Sequence, residues 1–292
     1  MQIKGALMLL GASFFWGTTF VAQLTGMDGI GPFTYAAARY FLGSIFLTGL
    51  LIFTRKSRIL ERRKEKLSRG FLVGLFCGIF LFVATSMQQV SMLYTTAGKA
   101  AFITCLYIMF VPLGAAILGK KILPENWAGA ILAIAGLYFL AINEEFSINL
   151  GDVILFFSAF FWTAHILVVD KFANKVDVME LSTAQIFMTM ILSFTAMLIF
   201  ENPTLDAVKN AAFPIFYGGV MSSGVAFTLQ IYGQKYAEPS AAAILMSFES
   251  IFGALSGWLI LGEQMTGREI FGCCMMVLGI FVTQWRVISG KK

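Results

Sequence analysis

Apolar residues run along this chain in long unbroken blocks, not in alternation and not in narrow stripes. Ala100 to Gly119 contains no Asp, Glu, Lys or Arg. At a helical rise of about 1.5 Å per residue such a block crosses ~30 Å of hydrocarbon. Lipid offers no hydrogen bonds, so each block must satisfy its own backbone and is expected to be a helix. The period-two alternation of a membrane barrel does not occur. Ten spans follow, at 5–24, 33–53, 70–91, 97–119, 126–142, 151–170, 179–200, 212–233, 240–261 and 269–287. Most loops between them are short, so neighbouring helices run antiparallel. The first block has the basic residue and apolar run of a signal peptide. It lacks a small-residue cleavage site before a soluble domain, so it is expected to stay as the first helix. Pro112 opens the hydrogen-bond ladder of the fourth span and predicts a bend there. The small residues of "GIFLFVATS" (Gly78 to Ser86) and "GALSGW" (Gly253 to Trp258) permit close helix approach.

The soluble alternative fails on this run length, and composition agrees. The chain is 58% hydrophobic and 13% charged, against about 25% charged in an ordinary soluble domain. Its mean hydropathy is +0.81. Four cysteines, Cys77, Cys105, Cys273 and Cys274, fall inside spans and read as small apolar packing residues, not disulfides or metal ligands. The basic residues set an orientation. With the N-terminus in the cytoplasm, 17 Lys and Arg face the cytoplasm, and only Lys209 and Arg268 face outward. That bias predicts a multi-pass protein of the cell (plasma) membrane with both termini cytoplasmic. The basic loop Thr54 to Arg69 then reads as a topology determinant with weak attraction for anionic lipid, and no nucleic-acid partner is expected.

The two halves of the chain repeat. "FFWGTTF" at Phe14 matches "FFWTAHI" at Phe160, and "LGKKILPENWAG" at Leu118 matches "LGEQMTGREIFG" at Leu261. The repeats cover 1–145 and 146–292, five spans each. Five is odd, so the second repeat enters the membrane upside down. The expected fold is an all-α polytopic membrane protein of ten transmembrane helices in two inverted five-helix repeats. That is the architecture of many secondary transporters, with the substrate near the midplane between repeats.

The segments "FFWGTTFVAQ", "GPFTYAAARYFLG", "ATSMQQVSMLYTTAGKAAFITCLYIMFVPL", "GDVILFFSAFFWTAHIL" and "SAAAILMSFESIFGALSGWLILGE" occur in order over almost the whole chain. In these the chain resembles the drug/metabolite transporter superfamily, in its EamA-type ten-helix branch. The resemblance implies two EamA domains, a central cavity lined mainly by the first four helices of each half, and export of small metabolites. It names no substrate. Second halves of the family often place Pro after the Glu of the ninth helix, where this chain has Ser250.

Polar residues inside the spans are the candidate site. Glu249 lies near the midplane of the ninth span, where a carboxylate costs at least ~2.5 kcal/mol and must face a cavity or another helix. Its repeat counterpart is Tyr107. Two readings compete for the pair: they line a substrate site, with Glu249 binding a cationic group or carrying a proton, or they only fix packing. Lys99 is nearer the outer end, about 14 Å from Glu249 along the normal, so it snorkels outward or contacts substrate at a gate. Arg39 needs acceptors, either helix carbonyls or a bound anion, and its repeat counterpart is the neutral Gln185. Gln88 and Gln230 correspond by the repeat and are expected near opposite mouths of the cavity. Their amides suit zwitterions or interhelical hydrogen bonds equally. Trp16 and Trp162 also correspond, as packing residues or as cavity walls that hold an amine by cation–π contact. His165 is close to them, in a hydrogen-bonded packing role or in proton transfer.

Function follows from these residues as a secondary transporter. It moves small metabolites (amino acids, amines or related solutes) by alternating access, and proton coupling is a separate expectation. The alternative is a channel or lipid flippase on the same scaffold, although continuous polar pore rings are absent. A membrane enzyme is disfavoured by a single histidine and few buried carboxylates. No GxxxxGK[ST] phosphate loop occurs, and no cofactor or metal is expected. Oligomeric state is not encoded in these patterns.

Overall fold

The computed structural model describes residues 2–56, 68–94, 97–141, 149–262 and 266–288, and among these there is no strand. The helices are α1 (Ile3–Gly26), α2 (Pro32–Lys56), α3 (Arg69–Ser91), α4 (Ala97–Thr104), α5 (Tyr107–Ile117), α6 (Pro124–Ala141), α7 (Leu150–Phe172) and α8 (Val178–Phe200). They continue with α9 (Leu205–Asn210), α10 (Ala212–Tyr217), α11 (Phe227–Gln234), α12 (Pro239–Met246), α13 (Glu249–Leu261) and α14 (Gly267–Ile288). Seven helical segments are long and apolar enough to cross a membrane: Ile3–Gly26, Pro32–Thr54, Arg69–Ser91, Leu150–Phe172, Val178–Phe200, Ala212–Gln234 and Pro239–Ile260. A shorter apolar segment covers Phe102–Ile117. The chain is thus an all-helical, multi-pass membrane protein. The centre of the basic loop and the last four residues, which carry much of the orientation argument, lie outside the described residues.

Local chemistry fixes the helix starts. Asn149 accepts from the Asp152 amide at 3.0 Å, and the Asp152 carboxylate accepts from the Asn149 amide at 3.0 Å, a reciprocal cap. Asp177 accepts from the amides of Met179 and Glu180 and so starts α8. Glu201, just past α8, reaches across to α2 and accepts from the amides of Phe33 and Thr34 at 2.9 and 2.7 Å. A carboxylate at a helix N-terminus satisfies orphan amides and complements the positive end of the dipole. Gly262 closes α13 in the left-handed conformation, with φ of 71°.

Small residues bring the helices together, and the short distances show where. A methyl placed on Gly136 of α6 would lie 2.5 Å from the Gly272 carbonyl oxygen of α14. One on Gly78 of α3 would lie 2.6 Å from the Gln185 carbonyl oxygen of α8, and one on Gly17 of α1 would lie 2.6 Å from the Glu249 carbonyl oxygen. Backbones touch at these points, as small-residue helix contacts in lipid require. Ile52, Leu198, Leu259 and Phe281 project outward and stay exposed, as a lipid-facing belt does.

Three spans depart from the continuous helices that the sequence predicts. The fourth divides at Cys105–Leu106 into α4 and α5, and the ninth divides at Ser247–Phe248 into α12 and α13. At both joints the amides bond three residues back: Ile108 to Cys105 at 2.9 Å, Ser250 to Ser247 at 3.1 Å. This tightened turn breaks the ladder. Pro112 sits more than a turn beyond the first joint, and the second lacks any proline after Pro239, so the bend assigned to Pro112 has a different cause. The eighth span passes through a π-helical stretch, Gly218–Ala226, between α10 and α11.

Candidate functional site

The two joints set the centre of the molecule. Each tightened turn is followed at once by a polar side chain, Tyr107 at the start of α5 and Glu249 at the start of α13. The Tyr107 hydroxyl stands 3.4 Å from Glu249 Oε1. Cys105 Sγ lies 3.6 Å from the same oxygen and 3.4 Å from Ser250 Oγ. Cys105 is fully buried, so it is a member of a polar cluster and not the purely apolar filler that its sequence context suggests. The other three cysteines are also free thiols.

This cluster forms part of the wall of a cavity of about 540 Å³, a volume that includes its open part. Trp16, Arg39, Gln88, Tyr107, Trp162, Gln230 and Glu249 all line it. So do Gln23, Thr85, Ser222 and Phe227, which the sequence reading did not single out. Gln88 and Gln230 therefore belong to one cavity. Lys99 is in α4, but its side chain lies outside the described residues. His165 does not line the cavity; it stands behind Trp162 and Phe227, with ring centroids 6.1 and 6.2 Å away.

The walls combine rings and orphaned polar atoms. Trp162 and Phe227 are parallel at 6.3 Å, and Trp16 meets Phe227 edge-on at 5.0 Å. Arg39 is 3% exposed. Its guanidinium donates to the Tyr40 hydroxyl at 2.9 Å and lies 4.6 Å from the Tyr40 ring centroid and 5.6 Å from that of Tyr35. These are cation–π distances. Arg39 Nε, Trp16 Nε1 and Trp162 Nε1 are buried donors without partners, and Gln23 Oε1 and Gln230 Oε1 are buried acceptors without partners. Burying such atoms unpaired costs about 1–3 kcal/mol each, so a ligand that paired them would recover part of that cost. Among the described residues neither Arg39 nor Glu249 has an oppositely charged partner.

The cavity is closed towards the end where α7 and α11 finish. Ile166, Phe227 and Gln230 are buried there; Arg39 and Gln23, toward the other end, are buried too, and Trp16, Gln88 and Glu249 are partly exposed. Four contacts seal that end. Gln234 Nε2 donates to the Ile166 carbonyl at 2.9 Å, and the Ser13 hydroxyl lies 2.8 Å from the Leu245 carbonyl. The Gln2 amide donates to the Tyr236 carbonyl at 3.2 Å. Lys120, beyond α5, forms an ion pair with Asp170 of α7.

Known proteins resemble this chain along most of its length. An uncharacterized transporter of Archaeoglobus fulgidus is 27% identical over 93% of this chain and 83% of its own. A probable amino-acid metabolite efflux pump of Escherichia coli is 24% identical over 98% of both chains. A solved crystal structure superposes with a TM-score of 0.82 over 100% of both chains at 18% identity, a likeness of fold alone. The model of the EamA-like transporter family matches residues 3–142 and again 149–285, so the chain belongs to that family. It is a membrane transporter for small molecules and not an enzyme.

Proposed function

We propose that this member of the EamA-like transporter family is a secondary transporter that exports amino acids, amines or related small metabolites across the cell membrane. It works by alternating access around the central cavity, with both termini in the cytoplasm. The observation that carries the reading is that one guanidinium, Arg39, and one carboxylate, Glu249, line the same cavity and do not pair with each other. A solute with an ammonium group and a carboxylate complements both. Glu249 and Gln230 accept from the ammonium, and Arg39 with the indole N–H groups donates to the carboxylate.

Two inverted five-helix repeats, 1–145 and 146–292, are the mechanical part of the proposal. Packing supports it. α1 packs on α13 as α7 packs on α4 and α5; α1 packs on the eighth span as α7 packs on α3; α6 packs on α14. Exchanging the halves maps each of these contacts onto another or onto itself. The family model matching twice supports the same division. Two like halves around one cavity are suited to rocking between an outward and an inward state.

Counterflow of labelled amino acids and amines in proteoliposomes tests the function. A carrier saturates and exchanges labelled for unlabelled solute; linear, non-exchanging flux would show a channel instead. For proton coupling, Glu249→Gln is expected to abolish flux driven by a pH gradient and, at solute concentrations raised to offset its weaker binding, to retain equilibrium exchange. Survival of both activities would remove the coupling.

A further inference from the structure

His165 and Gln185 are fully buried and bond to each other, His165 Nε2 to Gln185 Oε1 at 3.0 Å. With that amide oxygen as acceptor, His165 Nε2 carries the proton and Nδ1 is left as an acceptor. His165 Nδ1 has no partner, and neither has Gln185 Nε2. One acceptor and one N–H donor are thus buried side by side, unpaired, outside the cavity. Packing alone does not explain the expense.

Their positions explain it. Arg39 is seven residues from the start of α2, and Gln185 is seven from the start of α8. Thr19 is seven residues from the end of α1, and His165 is seven from the end of α7. The sequence repeat pairs Arg39 with Gln185 and Thr19 with His165. Arg39 contacts the cavity in the present state, about 10 Å from one end of the bundle. His165 and Gln185 occupy the mirror depth at the closed end. The Trp162 and Phe227 rings, both of which line the cavity, pack against the His165 ring.

We propose that His165 and Gln185 form an inner subsite for the polar head of the transported solute, opened to the cytoplasm when the cavity inverts. This rests on the alternating-access reading above. When the halves exchange environments, the Trp162–Phe227 screen parts from His165, which then lines the cavity as Arg39 does now. The subsite offers one acceptor and one donor without net charge. It therefore takes a zwitterionic or neutral polar head, N–H to His165 Nδ1 and oxygen to Gln185 Nε2.

The test uses the full chain with Cys273 and Cys274 replaced by Ala, and the labelling of this background alone, which keeps Cys77 and Cys105, is subtracted from that of each variant. Arg39→Cys, His165→Cys and Gln185→Cys are each added singly. Every variant is exposed to an impermeant trimethylammonium-ethyl methanethiosulfonate reagent, in right-side-out and in inside-out vesicles. The Arg39→Cys variant is expected to react from outside only, and the His165→Cys and Gln185→Cys variants from inside only. The two inner variants are independent, so if one does not fold the other decides. If the Arg39→Cys variant reacts from outside but no inner variant reacts from inside, the subsite is overturned and alternating access stands. Reaction of the inner variants from outside overturns it as well. If the Arg39→Cys variant reacts from the inside, the orientation and the functional reading fall together with the subsite.

Discussion

The two regions that the family model matches, 3–142 and 149–285, share a backbone feature and differ in their chemistry. The joint after Thr104 and the joint after Met246 break their helices with the same tightened turn. One presents a phenol, Tyr107, and the other a carboxylate, Glu249. At the repeat-related positions in α2 and α8, one half has the guanidinium of Arg39 and the other the amide of Gln185. Gly136 and Gly272, in contrast, hold α6 against α14 through the same residue type on both sides. Residues that shape the scaffold recur in both halves; residues that carry charge into the membrane occur once. Charge at this depth is costly, and on the proposed two-repeat architecture one copy of each charge serves the single cavity.

That contrast is open to experiment. Glu249→Gln removes the carboxylate and keeps the shape. A hydrogen bond to a charged group is worth about 1.5–3 kcal/mol, so the KM for an amine-bearing solute is expected to rise ~10- to 150-fold in flux assays. Gly136→Leu attacks the shared scaffold. Overpacking costs about 1–3 kcal/mol, and thermal unfolding of the purified protein should fall by several degrees while the KM of the surviving protein is unchanged. Arg39→Gln gives the first half the residue of the second. It is expected to weaken a carboxylated solute about tenfold, by ~1.4 kcal/mol, and to leave the matching decarboxylated amine unaffected. Tyr107→Phe removes one contact to Glu249, for a loss of ~0.5–1 kcal/mol read as a few-fold change in KM. Lys120→Ala is the smallest. The pair with Asp170 is half exposed on the lysine side, so less than ~1 kcal/mol of stability is expected to go, measured by the melting temperature.

Much of the helical frame was legible because apolar run length is a direct physical constraint in lipid. The span 33–53 became Pro32–Lys56 and the span 151–170 became Leu150–Phe172. Repeat alignment together with helix rise predicts Tyr107 and Glu249 both near the bilayer centre; in the structure the two side chains stand 3.4 Å apart. The joints were not. A three-residue-back turn uses the same residue types as the helix it interrupts, and the one visible breaker, Pro112, pointed to the wrong place. The π-helical stretch had a signal in the cluster Gly218, Gly219, Ser222, Ser223 and Gly224, but small residues in a span read equally as packing. Cys105 was misjudged because its partner Glu249 is 144 residues away. Gln23 was passed over because it is near a helix end, where polar residues are ordinary; only its buried, unpartnered oxygen shows that it faces the cavity.

The central claim is that Glu249 and Arg39 hold the two ends of one small solute. The most direct measurement is thermal unfolding of the purified wild type, Glu249→Gln and Arg39→Gln proteins against paired amino acids and their decarboxylated amines. A ligand at a hundred times its dissociation constant adds about 2.7 kcal/mol of stability. The account predicts that amino acids stabilise the wild type, that Glu249→Gln loses the response to both compounds of a pair, and that Arg39→Gln loses it only for the amino acid. Equal stabilisation of all three proteins by every responding compound would contradict it.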